Sequence, residues 1–476
     1  MFEEENDDDW SNPNFKMQLK HFEKMYALNE YEYIDSDDVE YILDHLMISN
    51  QMKKAKWAAE RAIEHFPTNS TIITRYAQIL SMTGDINSAL KLLLNLERLE
   101  PNNLDVLLSV ATCYSQLKQN NLAIKYFKKA FDSSSGDEKA EIAIDLAMEY
   151  ENKDDYKSAI EILTIAVKEG SLSDLLVYEL AHCYEKINDY ENAVKCFLEY
   201  IDEEPYSYTT WYNLGNAYAK MDKSDEAIWA YEYAIIINDD FIPAIYNLAN
   251  AYLDANKIDL ALANYKKCLE LDQDDPMVFC SMGECYEELG DIEKAYEMYH
   301  KSTELLPQLA DAWVGKGIMS DILGKHSRAV QELLIAVDLE PNKGDYWRAL
   351  GNAYESKKHN EKAVAAYEKA IELEPNDKEV IIDYLSFLAG ISMELVFEAV
   401  DRNHELRDNN VAKMVLCYCH WMAGNQSDSM LFFDEVLEND ANLAKSLFLH
   451  FPEMNSASYF IDRLQEFDEN LDNEEF

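Results

Sequence analysis

The clearest hint of chemistry in this sequence is Gly324-Lys325-His326-Ser327, which has the glycine, lysine and hydroxyl order that ends a phosphate-binding loop. Such a loop also needs a glycine five residues earlier, so that backbone N–H groups can close around phosphate, and a strand leading into it. Met319 stands in that place, and the segment reads as a turn between helices. Metal chemistry needs His, Cys or carboxylates at ligand spacing. The 10 histidines are scattered with no HExxH, and the 8 cysteines form no CxxC pair. Cys417 and Cys419 are two residues apart, so on a helix they face different directions. The 91 carboxylates are too many for one pair to stand out as an acid–base couple, and nothing marks a second domain that would build a pocket around one. The sequence predicts no catalytic residue, no metal site and no cofactor.

The elements that position these side chains form a repeat. Ala55, Ala89, Ala123, Ala159, Ala193, Ala227, Ala261, Ala295, Ala329 and Ala363 recur every 34 residues, with one interval of 36 after Ala123. Pro67, Pro101, Pro205, Pro307, Pro341 and Pro375 each follow one of these alanines by twelve residues. Ten repeats can be written, beginning at Ser36, Ser70, Leu104, Ala140, Asp174, Tyr208, Ile242, Pro276, Ala310 and Gly344. The sixth carries Trp211, Leu214, Gly215, Tyr218, Ala227 and Tyr231. The tenth carries Trp347, Leu350, Gly351, Tyr354, Ala363, Tyr367, Ala370 and Pro375. The fifth follows the same order with Val177, Leu180, Ala181, Tyr184, Ala193, Phe197 and Pro205. This pattern resembles the tetratricopeptide repeat (TPR), W-x2-L-G-x2-Y…A-x3-F…P over 34 residues. The resemblance covers residues 36–377.

The resemblance implies an all-α fold, a right-handed α-solenoid of stacked antiparallel helix pairs (the TPR superhelix). Each repeat would pair a helix A with a helix B across a polar turn such as Ser81-Met82-Thr83-Gly84-Asp85. Gly215, Ala249, Gly283, Gly317 and Gly351 are expected to let helix A approach the periodic alanine of helix B. Trp211, Tyr218 and Tyr231 would fill the space around that contact, and proline would end helix B. Trp211, Trp313 and Trp347 share one repeat position and are assigned to the core. A lone repeat cannot bury its apolar face, so the stack needs caps. Residues 10–35, with the stripe Phe15, Leu19, Phe22 and Tyr26, read as an N-terminal capping helix. After residue 377 the pattern decays. Leu385 and Phe397 take the places of small residues, the register slips by about two, and a TPR-like unit resumes near Asn410 with Gly424 and Phe433. Residues 378–443 thus read as two degenerate repeats and 444–467 as a C-terminal capping helix region. Residues 1–9 and 468–476 read as acidic disordered tails. The ending Phe448-Leu449-His450-Phe451-Pro452-Glu453 resembles that of cytoplasmic TPR proteins common in Bacteroidetes, which implies no activity.

Composition narrows the partners. A formal net charge of -49 repels phosphate backbones and anionic lipids, so neither nucleic acid nor a membrane is an expected partner. The start, Met1-Phe2-Glu3-Glu4-Glu5, lacks the basic and apolar regions of a signal peptide. No run of about 18 apolar residues predicts a membrane-spanning helix. Cys113, Cys183 and Cys285 share one core position. A cytoplasmic protein with free, mostly buried thiols is expected.

In TPR stacks the A helices line the inner, concave surface, with repeat positions 2, 5, 6, 9, 12 and 13 facing it. Here position 5 holds Tyr178, Tyr212 and Tyr246, position 6 holds Asn213 and Asn247, and position 9 holds Asn216 and Asn250. Asparagine amides donate and accept, so a ladder of them can hold a peptide backbone whatever its side chains. Tyrosines add rigid contact area with a polar tip. The arrangement resembles the asparagine ladder in the TPR region of O-GlcNAc transferase. Further along, Glu284, Glu287, Glu288, Asp321 and Glu355 make the groove acidic, which suits a basic segment of a protein or peptide partner. The plainer reading of these acids is a solvated face that keeps the array soluble. Chaperone-binding TPR domains hold a C-terminal carboxylate with cations and asparagines at positions 2 and 6 of three successive repeats. Thr209 and Asn213, Pro243 and Asn247, then Met277 and Ser281 supply asparagines without cations, so no such clamp is expected. The expected function is a non-enzymatic protein–protein interaction scaffold or adaptor. The alternative is a regulatory subunit of an enzyme supplied in trans, docked through an apolar patch at Phe432, Phe433, Phe448 and Phe451.

Overall fold

The computed structural model describes residues 13–169 and 173–474. Among these there are 28 α-helices and no strand, and the fold is an all-α solenoid of stacked antiparallel helix pairs. The chain divides between Asp239 and Asp240 into two compact bodies, each built from such pairs. In the first body, A helices open at Ser36, Ser70, Leu104, Gly136, Asp174 and Tyr208; in the second, at Ile242, Pro276, Ala310 and Gly344. The helix Gly136–Glu151 opens ahead of Ala140 and has 16 residues where the other nine have 13.

Local chemistry sets these ends. Asn69, Asn103, Ser173, Ser207 and Asp275 precede A helices and accept hydrogen bonds from the amides of Ile72, Val106, Leu176, Thr210 and Met277. Each such cap is worth about 1 kcal/mol. The turn from A to B passes through a left-handed residue in every repeat, from Asn50 and Gly84 to Gly324 and Lys358. The next amide then bonds back to the end of helix A, as Lys325 N does to Ser320 O at 2.9 Å. Gly324, at φ 74°, serves this turn and no phosphate loop.

All ten periodic alanines are fully buried. At Gly317 an added Cβ would lie 3.4 Å from the carbonyl oxygen of Ala329, the expected approach to the periodic alanine, but at Gly215, Gly283, Gly317 and Gly351 the nearest atoms belong to the residue four past that alanine. A Cβ added at Gly215, Gly283 or Gly351 would strike the ring of Tyr231, Tyr299 or Tyr367, four residues past the alanine. At Gly317 it would strike Leu333 at the same repeat position. The glycine thus makes room for the larger side chain that helix B places beside the alanine. The tryptophans join neighbouring repeats: Trp211, Trp313 and Trp347 donate their indole N–H groups to the carbonyls of Pro205, Pro307 and Pro341, each at 2.9 Å.

The ends depart from the repeat. Helix Pro13–Leu28 buries Phe22 and Met25 against the first pair. Helix Lys378–Ile391 meets a broken partner, Met393–Arg402 followed by His404–Asp408, and Leu385 is fully buried there. Helices Asn410–Met422, Gln426–Asn439 and Ala441–His450 follow, then a 3-10 turn and the helix Ser458–Glu474. That last helix runs on through residues 468–474, which the sequence reading gave to a tail. Phe460, fully buried against Phe433, anchors the helix from which that stretch continues. Residues 1–9 lie outside the described residues.

Candidate functional site

Helix A supplies the residues expected to face a partner. In the first body Tyr178 is 46% exposed, its ring stacked 6.2 Å from His182. Tyr212, Asn213 and Asn216 are half-buried. The Tyr212 ring lies 6.1 Å from that of Tyr231, whose hydroxyl donates to Asn216 Oδ1 at 2.8 Å. In the second body Tyr246, Asn247 and Asn250 are half-buried. Tyr246 Oη is 3.1 Å from Ser281 Oγ, and Tyr265 donates to Asn250 Oδ1 at 2.5 Å.

The position-9 asparagines therefore already serve the protein's own chain. Each accepts from a tyrosine that crosses over from helix B. Where asparagine is missing, an acid takes the bond: Tyr299 donates to Glu287 Oε2 at 2.9 Å. Tyr367 reaches both Asn352 Oδ1, at 2.5 Å, and Glu355 Oε2, at 3.0 Å. These hydroxyls sit at buried residues and need an acceptor. Burial pushes the phenols of Tyr265, Tyr299 and Tyr367 well above their ordinary value. The signal was present in the sequence, since Tyr231, Tyr265, Tyr299 and Tyr367 are in phase with the groups they reach.

The acidic residues separate into two sets. Glu284 and Glu288 are exposed, and Glu287 is half-buried beside them. Desolvation, then the charges of Asp311, Glu287 and Asp254, hold the Glu284 carboxyl above the ordinary range. Desolvation also raises Glu287 and Glu355, opposed by the hydroxyls that donate to them. Asp321 belongs to a different network: it accepts from Ser356 Oγ at 2.7 Å and lies 2.8 Å from His326 Nδ1. The sequence reading missed internal cations on this face. Arg348 pairs with Glu379 at 2.9 Å and Asp383 at 3.1 Å. Lys316 is 4% exposed at a position where Leu214, Leu248 and Leu350 stand in other repeats. It donates to Thr303 Oγ1 at 3.1 Å and approaches Glu332, which accepts from Ser320 at 2.5 Å and Arg328 at 3.0 Å.

Models of the tetratricopeptide repeat match residues 104–137, 176–206, 208–240, 278–308 and 344–377, and a TPR repeat model matches 249–290. The chain is a TPR protein. No curated protein matches it. Solved structures similar to this TPR chain include a TPR protein from Parabacteroides merdae, 16% identical over 52% of this chain and 98% of that one, with a TM-score of 0.44. Another is the C-terminal part of a TPR repeat-containing protein from Cytophaga hutchinsonii, 20% identical over 50% of this chain and 98% of that one, at 0.40. A third is a thermophilic TPR protein from Thermus thermophilus, 24% identical over 38% of this chain and all of that one, at 0.34.

Elsewhere the TPR chain corrects one expectation. Phe433 and Phe451 are buried, and Phe432 and Phe448 pack against the same core, so these four make no open apolar patch. The Tyr418 ring stacked on Phe451 and the Phe460 ring tilted against Phe433 close it. A cleft of about 550 Å³ opens where the broken partner helix leaves room, beside Glu368, Tyr384, Arg402 and His404. All eight cysteines are free and seven are buried. Burial pushes the thiols of Cys280, Cys285, Cys417 and Cys419 up to about 12, which leaves little thiolate at neutral pH. Among the described residues no group of His, Cys, Asp and Glu is arranged to hold a metal, and no helix is long and apolar enough to cross a membrane.

Proposed function

We propose that this TPR protein is a non-enzymatic cytoplasmic scaffold that holds a basic segment of a protein partner against its A-helix faces. TPR proteins bind protein or peptide partners. The observation that carries the finer reading is the cluster of Glu284, Glu287, Asp254 and Asp311 in the second body. A carboxylate held up by the charges of its neighbours, as Glu284 is, is relieved by an incoming cation. Glu284 and Glu288 lie open to receive it. Tyr246 and Asn247, half-buried on the preceding A helix of the same body, would add rigid contact area and amide polarity.

The test is a pull-down with the full chain and with a variant carrying Glu284→Gln, Glu287→Gln and Glu288→Gln together. Glutamine keeps shape and removes charge. Partners of the wild-type chain should elute steeply between about 50 mM and 300 mM salt, since surface charge pairs are screened over that range. They should be lost from the variant while its helical circular dichroism is unchanged. Full recovery of the same partners by the variant would remove the reading.

A further inference from the structure

We propose that the first body holds a second cation-binding slot, centred on Glu149, that takes the guanidinium of an arginine on the partner's segment. The proposal rests on the scaffold reading and extends it to a separate site.

Glu149 occupies position 10 of its repeat, on the A helix Gly136–Glu151. Other repeats place Cys113, Cys183, Ala217, Ala251 and Cys285 there, all buried. Glu149 is 3% exposed, and its Oε2 meets neither solvent nor a hydrogen-bond donor. A carboxylate oxygen withdrawn from water without a donor is unfavourable. No other repeat puts a carboxylate there: these five hold a small or sulfur side chain, and the remaining four hold His45, Ile79, Met319 and Ala353.

Glu141 and Asp145 precede Glu149 by two turns and one turn of the same helix, so the three share a face. Both are exposed. The stripe therefore leads from open surface to a buried, unsatisfied oxygen. Desolvation, then the charges of Glu141 and Glu149, raise the Asp145 carboxyl. Among the described residues no ion pair reaches them. Lys139, on the same helix, is held by Glu169 at 2.6 Å and lies over the Phe131 ring. His182, on the next A helix, lies 3.8 Å from Glu151.

The chemistry selects the occupant. A divalent ion needs three or more converging ligands, and none converge here. A guanidinium presents a flat fork of donors, spans carboxylates one turn apart and tolerates desolvation better than an ammonium.

The test uses fluorescence anisotropy on the full chain. The probe is a fluorescein-labelled peptide of glycine, serine and alanine with two arginines. Matched peptides carry citrulline or lysine in their place. The wild-type chain should prefer the arginine peptide over both. Glu149→Gln should cut the arginine-over-citrulline preference about tenfold, with a melting temperature equal to or above wild type, because a buried unpaired charge is gone. An unchanged preference in Glu149→Gln overturns the slot, and so does a lowered melting temperature, which would mark a structural bond. Equal binding of the lysine peptide overturns the guanidinium assignment. Loss of the preference only in a Glu284→Gln, Glu287→Gln variant overturns the slot and leaves the scaffold reading standing. No preference in wild type overturns both.

Discussion

Gly315→Ala tests how the second body is held together. Gly315 lies against Tyr299, a residue of the preceding repeat. A Cβ added at 315 would sit 2.6 Å from both Cε atoms of that ring, about 1 Å inside ordinary carbon contact. The ring has no easy retreat. Tyr299 is 2% exposed, its hydroxyl is bonded to Glu287, and a Cβ added at Gly283 would meet its Cε1 at 2.7 Å. Overpacking of this kind costs about 1–3 kcal/mol, while replacing a helical glycine with alanine returns about 1 kcal/mol. Gly315→Ala should therefore destabilise by a net amount of up to about 2 kcal/mol. In a Tyr299→Leu background the ring is absent and only the helix preference remains, so the same change should stabilise by up to about 1 kcal/mol. Leucine is a fair replacement, since Leu333 fills this position in the next repeat. The difference between the two backgrounds amounts to a coupling of about 1–3 kcal/mol. Hydrogen exchange of the full chain, followed by mass spectrometry on peptides from 292–322, reads local opening without assuming one global transition. Slower exchange for Gly315→Ala in the wild-type chain, or the same sign in both backgrounds, would refute the wedge.

Three further outcomes are expected. Lys118→Gly and Lys358→Gly should each raise thermal stability by about 1 kcal/mol, because lysine is held at φ 56° and 60°, where a side chain is strained; an unchanged midpoint would show that the turn carries no strain. Asn250→Ala should cost about 1–3 kcal/mol in urea denaturation by taking the acceptor from the Tyr265 hydroxyl, and most of that cost should vanish in a Tyr265→Phe chain. The carboxyls of Glu284, Glu287 and Glu355 are raised above 4.5 in the folded protein, so folding binds protons between the unfolded and folded values. These groups therefore add stability as pH falls through their folded values toward 4.5, and withhold it above them. The melting midpoint should rise as the pH is lowered from neutrality toward 4.5, less so for Glu284→Gln; a midpoint that falls throughout, or rises equally in the variant, would contradict the assignment.

The helix pairs were legible because their signals are local. A capping asparagine such as Asn69, a left-handed turn residue such as Gly84, and a proline after helix B act on the few residues around them. The candidate site was legible only as a surface. Helical phase placed Asn216 and Asn250 on the A-helix face, but not the hydroxyls of Tyr231 and Tyr265 that arrive from helix B. Residue type likewise identified Phe433 and Phe451 as apolar, without showing that Phe460 and Tyr418 would cover them.

The sequence by itself determined a periodic all-helical stack, its small-residue positions and an acidic surface, because periodicity and composition are properties of the chain. Only the tertiary structure decided which polar groups are satisfied. Asn216 is bonded to Tyr231, Asp321 to Ser356, and the Oε2 of Glu149 to nothing. Satisfaction depends on distances of a few ångströms between helices, and packing sets those distances.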